Sequence, residues 1–140
     1  MSDFPEGAAL VVGGTGGIGG AVCTALAAAG CDVAIGYGRN AARAEQIAQD
    51  VSGAGADALP VLIDLSADNS RALEEVASWR NLHTLIYAAG PAIDMLWTSE
   101  VSPSALRRAI DTDVHGFFSV LSPALGHLRR HAGSVVVVTT

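Results

Sequence analysis

The sequence predicts an α/β fold: a doubly wound parallel sheet with helices on both faces and strand order 3-2-1-4-5. Three observations carry this expectation. Apolar runs of strand length alternate with helix-forming stretches from end to end. The strand runs are continuously apolar, as expected where helices cover both faces of a parallel sheet. The first run leads into a glycine-rich turn, Gly13-Gly14-Thr15-Gly16-Gly17-Ile18-Gly19, that opens a helix. Right-handed crossovers between parallel strands then give the order.

The elements follow in turn. Ala8 to Val12 is the first strand, and Ala21 to Ala29 has helix-forming composition, stopped by Gly30. Asp32 to Tyr37 reads as the second strand. Asn40 is placed to cap a helix through about Val51, whose apolar stripe is Ala44, Ile47, Ala48 and Val51. Ser52-Gly53-Ala54-Gly55 breaks that helix. Ala58 to Ile63 makes a third strand, with Pro60 near its start or on a sheet edge. Asp68 or Ser70 caps a helix reaching Trp79, with Leu73, Val76 and Ala77 facing inward. His83 to Ala88 is a fourth strand, closed by Ala89-Gly90-Pro91. A loop with Asp94, Met95 and Trp97 leads to Ser102-Pro103, a helix start. The long helix carries Leu106, Ile110, Val114, Phe117, Phe118 and Leu121 at helical spacing, with a kink or interruption expected at Pro123. Ser134 to Thr140 is strongly β in character.

Composition narrows the function classes. Residues 1–140 suit a single domain, and 50% apolar residues indicate a globular chain rather than a disordered one. The net charge of −6, with no basic cluster, argues against a nucleic-acid partner. The eight basic residues are all arginine, so the chain has no lysine. No apolar run reaches membrane-spanning length, and Asp3, Pro5 and Glu6 are unlike a signal peptide. Cys23 and Cys31 have no metal-ligand spacing with His83, His115, His127 and His131, so no metal site is expected. Two free thiols fit a reducing, cytoplasmic location.

The glycine turn suits an anion. A helix N-terminus leaves backbone N–H groups unpaired at its positive dipole end, and glycines let a diphosphate reach them. Gly14, Gly16 and Gly19 fit one dinucleotide spacing, and Gly13, Gly17 and Gly19 fit another. A ligand is expected where this turn meets Ala88, Ala89 and Gly90. An acid at the end of the second strand would pair with the adenosine ribose hydroxyls. Tyr37 stands there instead, followed by Arg39 and Asn40. A neutral residue does not repel a 2′-phosphate and a guanidinium clamps one, so NADP(H) is preferred over NAD(H). Thr15 could add a hydroxyl. At the end of the third strand, Asp64, beside Leu65, either accepts from the adenine amino group or caps the following loop. The expected cofactor set is therefore Gly13, Thr15, Gly16, Gly17, Ile18, Gly19, Tyr37, Arg39, Asn40, Asp64, Leu65, Ala88, Ala89 and Gly90.

These residues resemble the short-chain dehydrogenase/reductase family, in particular its 3-oxoacyl-carrier-protein reductase-like members, over essentially the whole chain. The family's glycine motif is similar to Val12–Gly19, with Val12 in place of the usual threonine. Its Asn-Ala-Gly resembles Ala88-Ala89-Gly90, and its Asn-Val-x-Gly-x-Phe resembles Asp113-Val114-His115-Gly116-Phe117-Phe118. Its serine-bearing strand is similar to Val135–Thr140, which puts Thr140 at the family's catalytic serine. The resemblance implies a Rossmann-like, NAD(P)-binding oxidoreductase that moves hydride between nicotinamide and a carbonyl or secondary alcohol, acyl-carrier-linked substrates among them. Thr140 would orient that carbonyl. Asp113, at the family's asparagine, could act as a base, although a solvent-facing helix acid is the preferred reading.

The family's Tyr-x-x-x-Lys would fall beyond Thr140, so the chain is expected to be the N-terminal portion of a longer enzyme. The alternative is a non-catalytic nucleotide-binding or scaffold protein completed by a partner chain. A flavin- or phosphate-binding domain would share the turn but leave Arg39 without a use. The 104–130 helix has more apolar positions than one sheet face needs. In the resembled family the corresponding helix packs against its twin, so a homo-oligomer is expected.

Overall fold

The computed structural model describes residues 4–91 and 95–139. Asp3, Asp94 and Thr140 lie outside the described residues. Five strands, β1 (Ala8–Val12), β2 (Asp32–Tyr37), β3 (Ala58–Leu62), β4 (Leu82–Tyr87) and β5 (Ser134–Val137), form one sheet in the order β3-β2-β1-β4-β5. Every neighbouring pair is parallel. The helices are α1 (Gly17–Ala28), α2 (Ala41–Gly53), α3 (Ser70–Trp79), α4 (Pro103–Ile110) and α5 (Phe117–Arg130). The expected fold class and strand order are both present. Pro60 pairs with Ile35 on the edge strand β3, where a missing N–H costs no ladder bond on the outer side.

Successive strand residues point to opposite faces, so the sheet separates two cores. Ala9, Val11, Val33 and Ile35 pack with Cys23, Ile47 and Val51 of α1 and α2. Leu10, Val12, Leu85 and Tyr87 pack with Leu73, Val76, Val120 and Ala124 of α3 and α5. Each fully buried aliphatic side chain contributes about 1.5–3 kcal/mol of transfer free energy. At the edge of the sheet away from the glycine turn, Arg80 gathers the strand starts. Its Nε donates to Asp32 Oδ2 at 3.0 Å and its Nη2 to Asp57 Oδ2 at 2.7 Å, while the Asp57 N–H donates to Asp32 Oδ1 at 2.9 Å.

The long helix departs from expectation in two ways. Pro123 lies inside an unbroken α5, because Val120, Ala124 and Leu128 on either side of it are buried against the sheet and α3. The irregularity falls earlier, in a π turn, Asp111–Gly116, between α4 and α5. The inward stripe also differs. Leu106, Ile110, Val114 and Phe118 are exposed, whereas Gly116, Val120 and Ala124 are buried and Ala105 and Ala109 half-buried. Close approach explains the choice. A Cβ on Gly116 would stand 3.0 Å from both Leu65 Cβ and the Tyr87 hydroxyl, so glycine takes the tightest point of the inner face, while the expected Phe117 and Leu121 pack half-buried against the same core. β5 is shorter than expected, and Val135, Val136 and Val137 are 41–49% exposed at the sheet edge.

Candidate functional site

The carboxyl ends of β1, β2, β3 and β4 lie side by side, and the expected cofactor residues come from the segments that leave them. The turn after β1 is tied to β2 by the Gly13 and Gly14 N–H groups, both donating to the Gly36 carbonyl at 3.1 and 2.9 Å. Gly13 has φ +79°, in the left-handed region, and a Cβ there would lie 2.6 Å from the Ala89 nitrogen. This close approach brings the turn and the Ala88–Ala89 segment together. Ala88 in turn donates its N–H to the Val12 carbonyl at 2.9 Å.

Three further glycines divide the work. A Cβ on Gly19 would run into the Gly13 carbonyl oxygen, so α1 can start this close to the turn only without a side chain there. A Cβ on Gly17 would meet nothing within 4 Å, and one on Gly16 only the Gly13 oxygen at 3.3 Å. Gly16, Gly17 and Ile18 are exposed. The Gly20 N–H already reaches Gly16 O at 2.8 Å, so the N–H groups of Gly17, Ile18 and Gly19 are the ones with no carbonyl behind them in the helix. The result is an open face of donors at a positive helix end, shaped for a phosphate or diphosphate.

Tyr37 ends β2 half-buried against the α1–α2 core, and Arg39 is exposed just beyond it. The Asn40 Oδ1 accepts from the Arg43 N–H at 3.0 Å, so its side chain caps α2. Asp64 Oδ1 accepts from the Ser66 hydroxyl at 2.6 Å and the Ser66 N–H at 2.9 Å. Those two bonds, the hydroxyl first, hold its carboxyl below the usual carboxylate range. Asp64 thus caps the following loop, one of the two roles expected for it. Asp113 is exposed on the π turn, and Thr140 lies outside the described residues.

Two residues that the sequence reading did not single out, Tyr87 and Asn69, hold this arrangement. Tyr87 is buried, and its hydroxyl donates to the Thr112 carbonyl in the π turn at 2.6 Å. Burial first, and the Asp113 charge second, push its phenol up to about 12. Asn69 is buried; its Nδ2 donates to the Asp64 carbonyl at 2.8 Å and to Ser119 Oγ at 3.1 Å, and its Oδ1 accepts from the Asp64 N–H at 3.1 Å. It thereby joins the loop after β3 to α5. Gly116 permits that contact, as its spacing from Leu65 shows. The signal for Asn69 was a polar side chain just before a helix, which an ordinary cap also explains. Cys23 and Cys31 are buried, and burial raises both thiols, Cys23 to about 12, so neither is poised as a nucleophile. Among the described residues, no three His, Cys, Asp or Glu side chains converge as metal ligands.

Comparison with known proteins adds the following. Residues 7–140 match the family model for short chain dehydrogenases. The chain is 28% identical over 132 residues to a 3-oxoacyl-[acyl-carrier-protein] reductase of Staphylococcus aureus, covering 91% of this chain and 53% of that protein. A short-chain type dehydrogenase/reductase from Mycobacterium ulcerans superposes with a TM-score of 0.88 at 30% identity, over 100% of this chain and 53% of the other. A Burkholderia cenocepacia short chain dehydrogenase, solved in complex with NADP, superposes with a TM-score of 0.77 at 27% identity, over 93% of this chain and 54% of the other. The chain thus spans about half the length of the curated relatives it matches.

Proposed function

The chain belongs to the short-chain dehydrogenase family, and on that premise we propose that it binds NADP(H), in preference to NAD(H), as the cofactor-holding portion of an oxidoreductase. The observation that carries this is the open face over Gly16 and Gly17, backed by the close packing of Gly13 and Gly19. In this reading the Gly17, Ile18 and Gly19 N–H groups hold the diphosphate, with Thr15 beside them. Arg39 takes the 2′-phosphate and Tyr37 borders the adenosine ribose. Leu65, Ala88, Ala89 and Gly90 flank the adenosine and nicotinamide ribose. Asn40 contributes through the α2 cap, which sets the position of Arg39.

A bound nicotinamide supplies or accepts hydride, and the substrate is a small carbonyl or secondary alcohol, acyl-carrier-linked substrates included. Thr140 then orients the carbonyl. Asp113 is then a solvent-facing acid on the π turn. Family membership favours this reading over a non-catalytic scaffold. The exposed stripe Leu106, Ile110, Val114 and Phe118 supports a homo-oligomer built on the α4–α5 face. No described helix is long and apolar enough to cross a membrane, and two free thiols support a cytoplasmic location.

The test is a fluorescence titration of the purified chain with NADPH and with NADH. Saturable binding with NADPH tighter supports the proposal. Equal affinities would remove the NADP(H) preference, and the absence of binding to either would overturn the cofactor assignment.

A further inference from the structure

A cleft of about 490 Å³ lies between the loop after β3 and the π turn, with Leu65, Ser66, Asp111, Thr112, His115 and Ser119 among its lining residues. Its hydrogen-bonding inventory is one-sided. A hydroxyl has one proton to give, and each of these three gives it to the protein. Ser66 Oγ donates to Asp64 Oδ1 at 2.6 Å, Thr112 Oγ1 to the Arg108 carbonyl at 3.2 Å, and Ser119 Oγ to the Gly116 carbonyl at 2.8 Å. What these groups can still offer is lone pairs.

The His115–Asp111 pair has the same bias. His115 Nδ1 lies 2.9 Å from Asp111 Oδ1. A carboxylate only accepts, so Nδ1 is the donor in this bond, and the tautomer it selects leaves Nε2 as an acceptor. In that bond Asp111 uses one of about four lone-pair sites of its carboxylate. A cleft with acceptors on several sides and a carboxylate among them matches a ligand that only donates. It mismatches phosphates and carboxylates.

We infer that this cleft is a binding site, separate from the glycine turn, for a small organic cation with a guanidinium or primary ammonium head. The flat, five-donor guanidinium fits a set of acceptors spread over a loop and a helix better than a single ammonium does. The π turn matters here because it alters the helical spacing of Asp111, Thr112 and His115 ahead of α5. The inference does not depend on the cofactor reading.

The experiment is NMR titration of the purified chain at pH 8 with ethylguanidinium chloride, following the His115 imidazole resonances, with sodium acetate as a counter-probe of similar size. The expected result is a saturable shift with ethylguanidinium and none with acetate. In Asp111→Asn and Asp111→Ala, both at an exposed position, the affinity should fall roughly fivefold, the upper range for a solvent-exposed ion pair. The same spectra report whether each variant is folded. The absence of a saturable shift, an equal shift with acetate, or unchanged affinity in a folded Asp111 variant would each overturn the inference. NADPH titrated into the same sample is read separately, so failure of the cofactor assignment is distinguishable from failure of this one.

Discussion

The hydroxyl of Tyr87, at the end of β4, donates to the carbonyl oxygen of Thr112, in the π turn, across 2.6 Å. The two residues are 25 positions apart, and the bond fixes the π turn of the long helix against the carboxyl end of the sheet. Phe117 packs edge-on to the same ring at 5.2 Å. Tyr87→Phe keeps the ring and removes only the donor, so unfolding in urea should show a loss of about 1 kcal/mol with the dependence on denaturant unchanged.

The Tyr87 phenol also sets an alkaline limit. Its folded value is about 12 against an ordinary 10.0. Above pH 10 the unfolded chain gives up this proton first and binds fewer protons than the folded one. Stability from this group is therefore full below pH 10 and is lost as pH rises through about 12. Urea midpoints measured between pH 9 and 11.5 should fall less steeply in Tyr87→Phe than in the parent.

Gly17 faces open space, whereas Gly19 faces packed backbone. Gly19→Ala drives a Cβ into the Gly13 carbonyl and should cost about 1–3 kcal/mol of stability. Gly17→Ala meets no protein atom, so its melting temperature should match or slightly exceed the parent's. Its NADPH affinity should nevertheless drop roughly tenfold, as the diphosphate is held off the helix donors. An unchanged affinity in Gly17→Ala would place the dinucleotide elsewhere.

Arg39 tests the cofactor preference. Arg39→Ala should cost NADPH binding about 1.5–3 kcal/mol and leave NADH binding nearly unchanged. Calorimetric titration of both nucleotides on both proteins measures the difference directly.

His83 gives an acid limit at the opposite end of the sheet. Burial first, and His131 second, lower its value from 6.5. Its Nδ1 is in hydrogen-bonding contact with Thr84 Oγ1 at 2.8 Å, its Nε2 lies 3.7 Å from Cys31 Sγ, and Phe4 stacks on the ring. Just below pH 6.5 the unfolded chain binds this proton more readily than the folded one. Stability is thus full above 6.5 and declines as pH falls through the lowered folded value. His83→Gln should flatten the decline between pH 7 and 5, read by chemical denaturation.

Much of this protein was legible in its sequence. The alternation of apolar runs with amphipathic stretches, plus the handedness of parallel crossovers, determined the sheet and its order. Local chemistry determined the Asn40 cap, the Gly30 stop and the glycine turn, because each depends on neighbours within a few residues. Tertiary structure decided the rest. The long helix offers two apolar faces of similar periodicity, and the inner one runs through Gly116, Val120 and Ala124 because a side chain at Gly116 would crowd Leu65 and Tyr87. The Tyr87–Thr112 bond, the Asn69 link from the β3 loop to Ser119, and the cleft beside Asp111 and His115 join residues distant along the chain. Periodicity specifies which way a side chain points; how closely two elements pack, and so which polar atoms meet, depends on the volumes of everything between them.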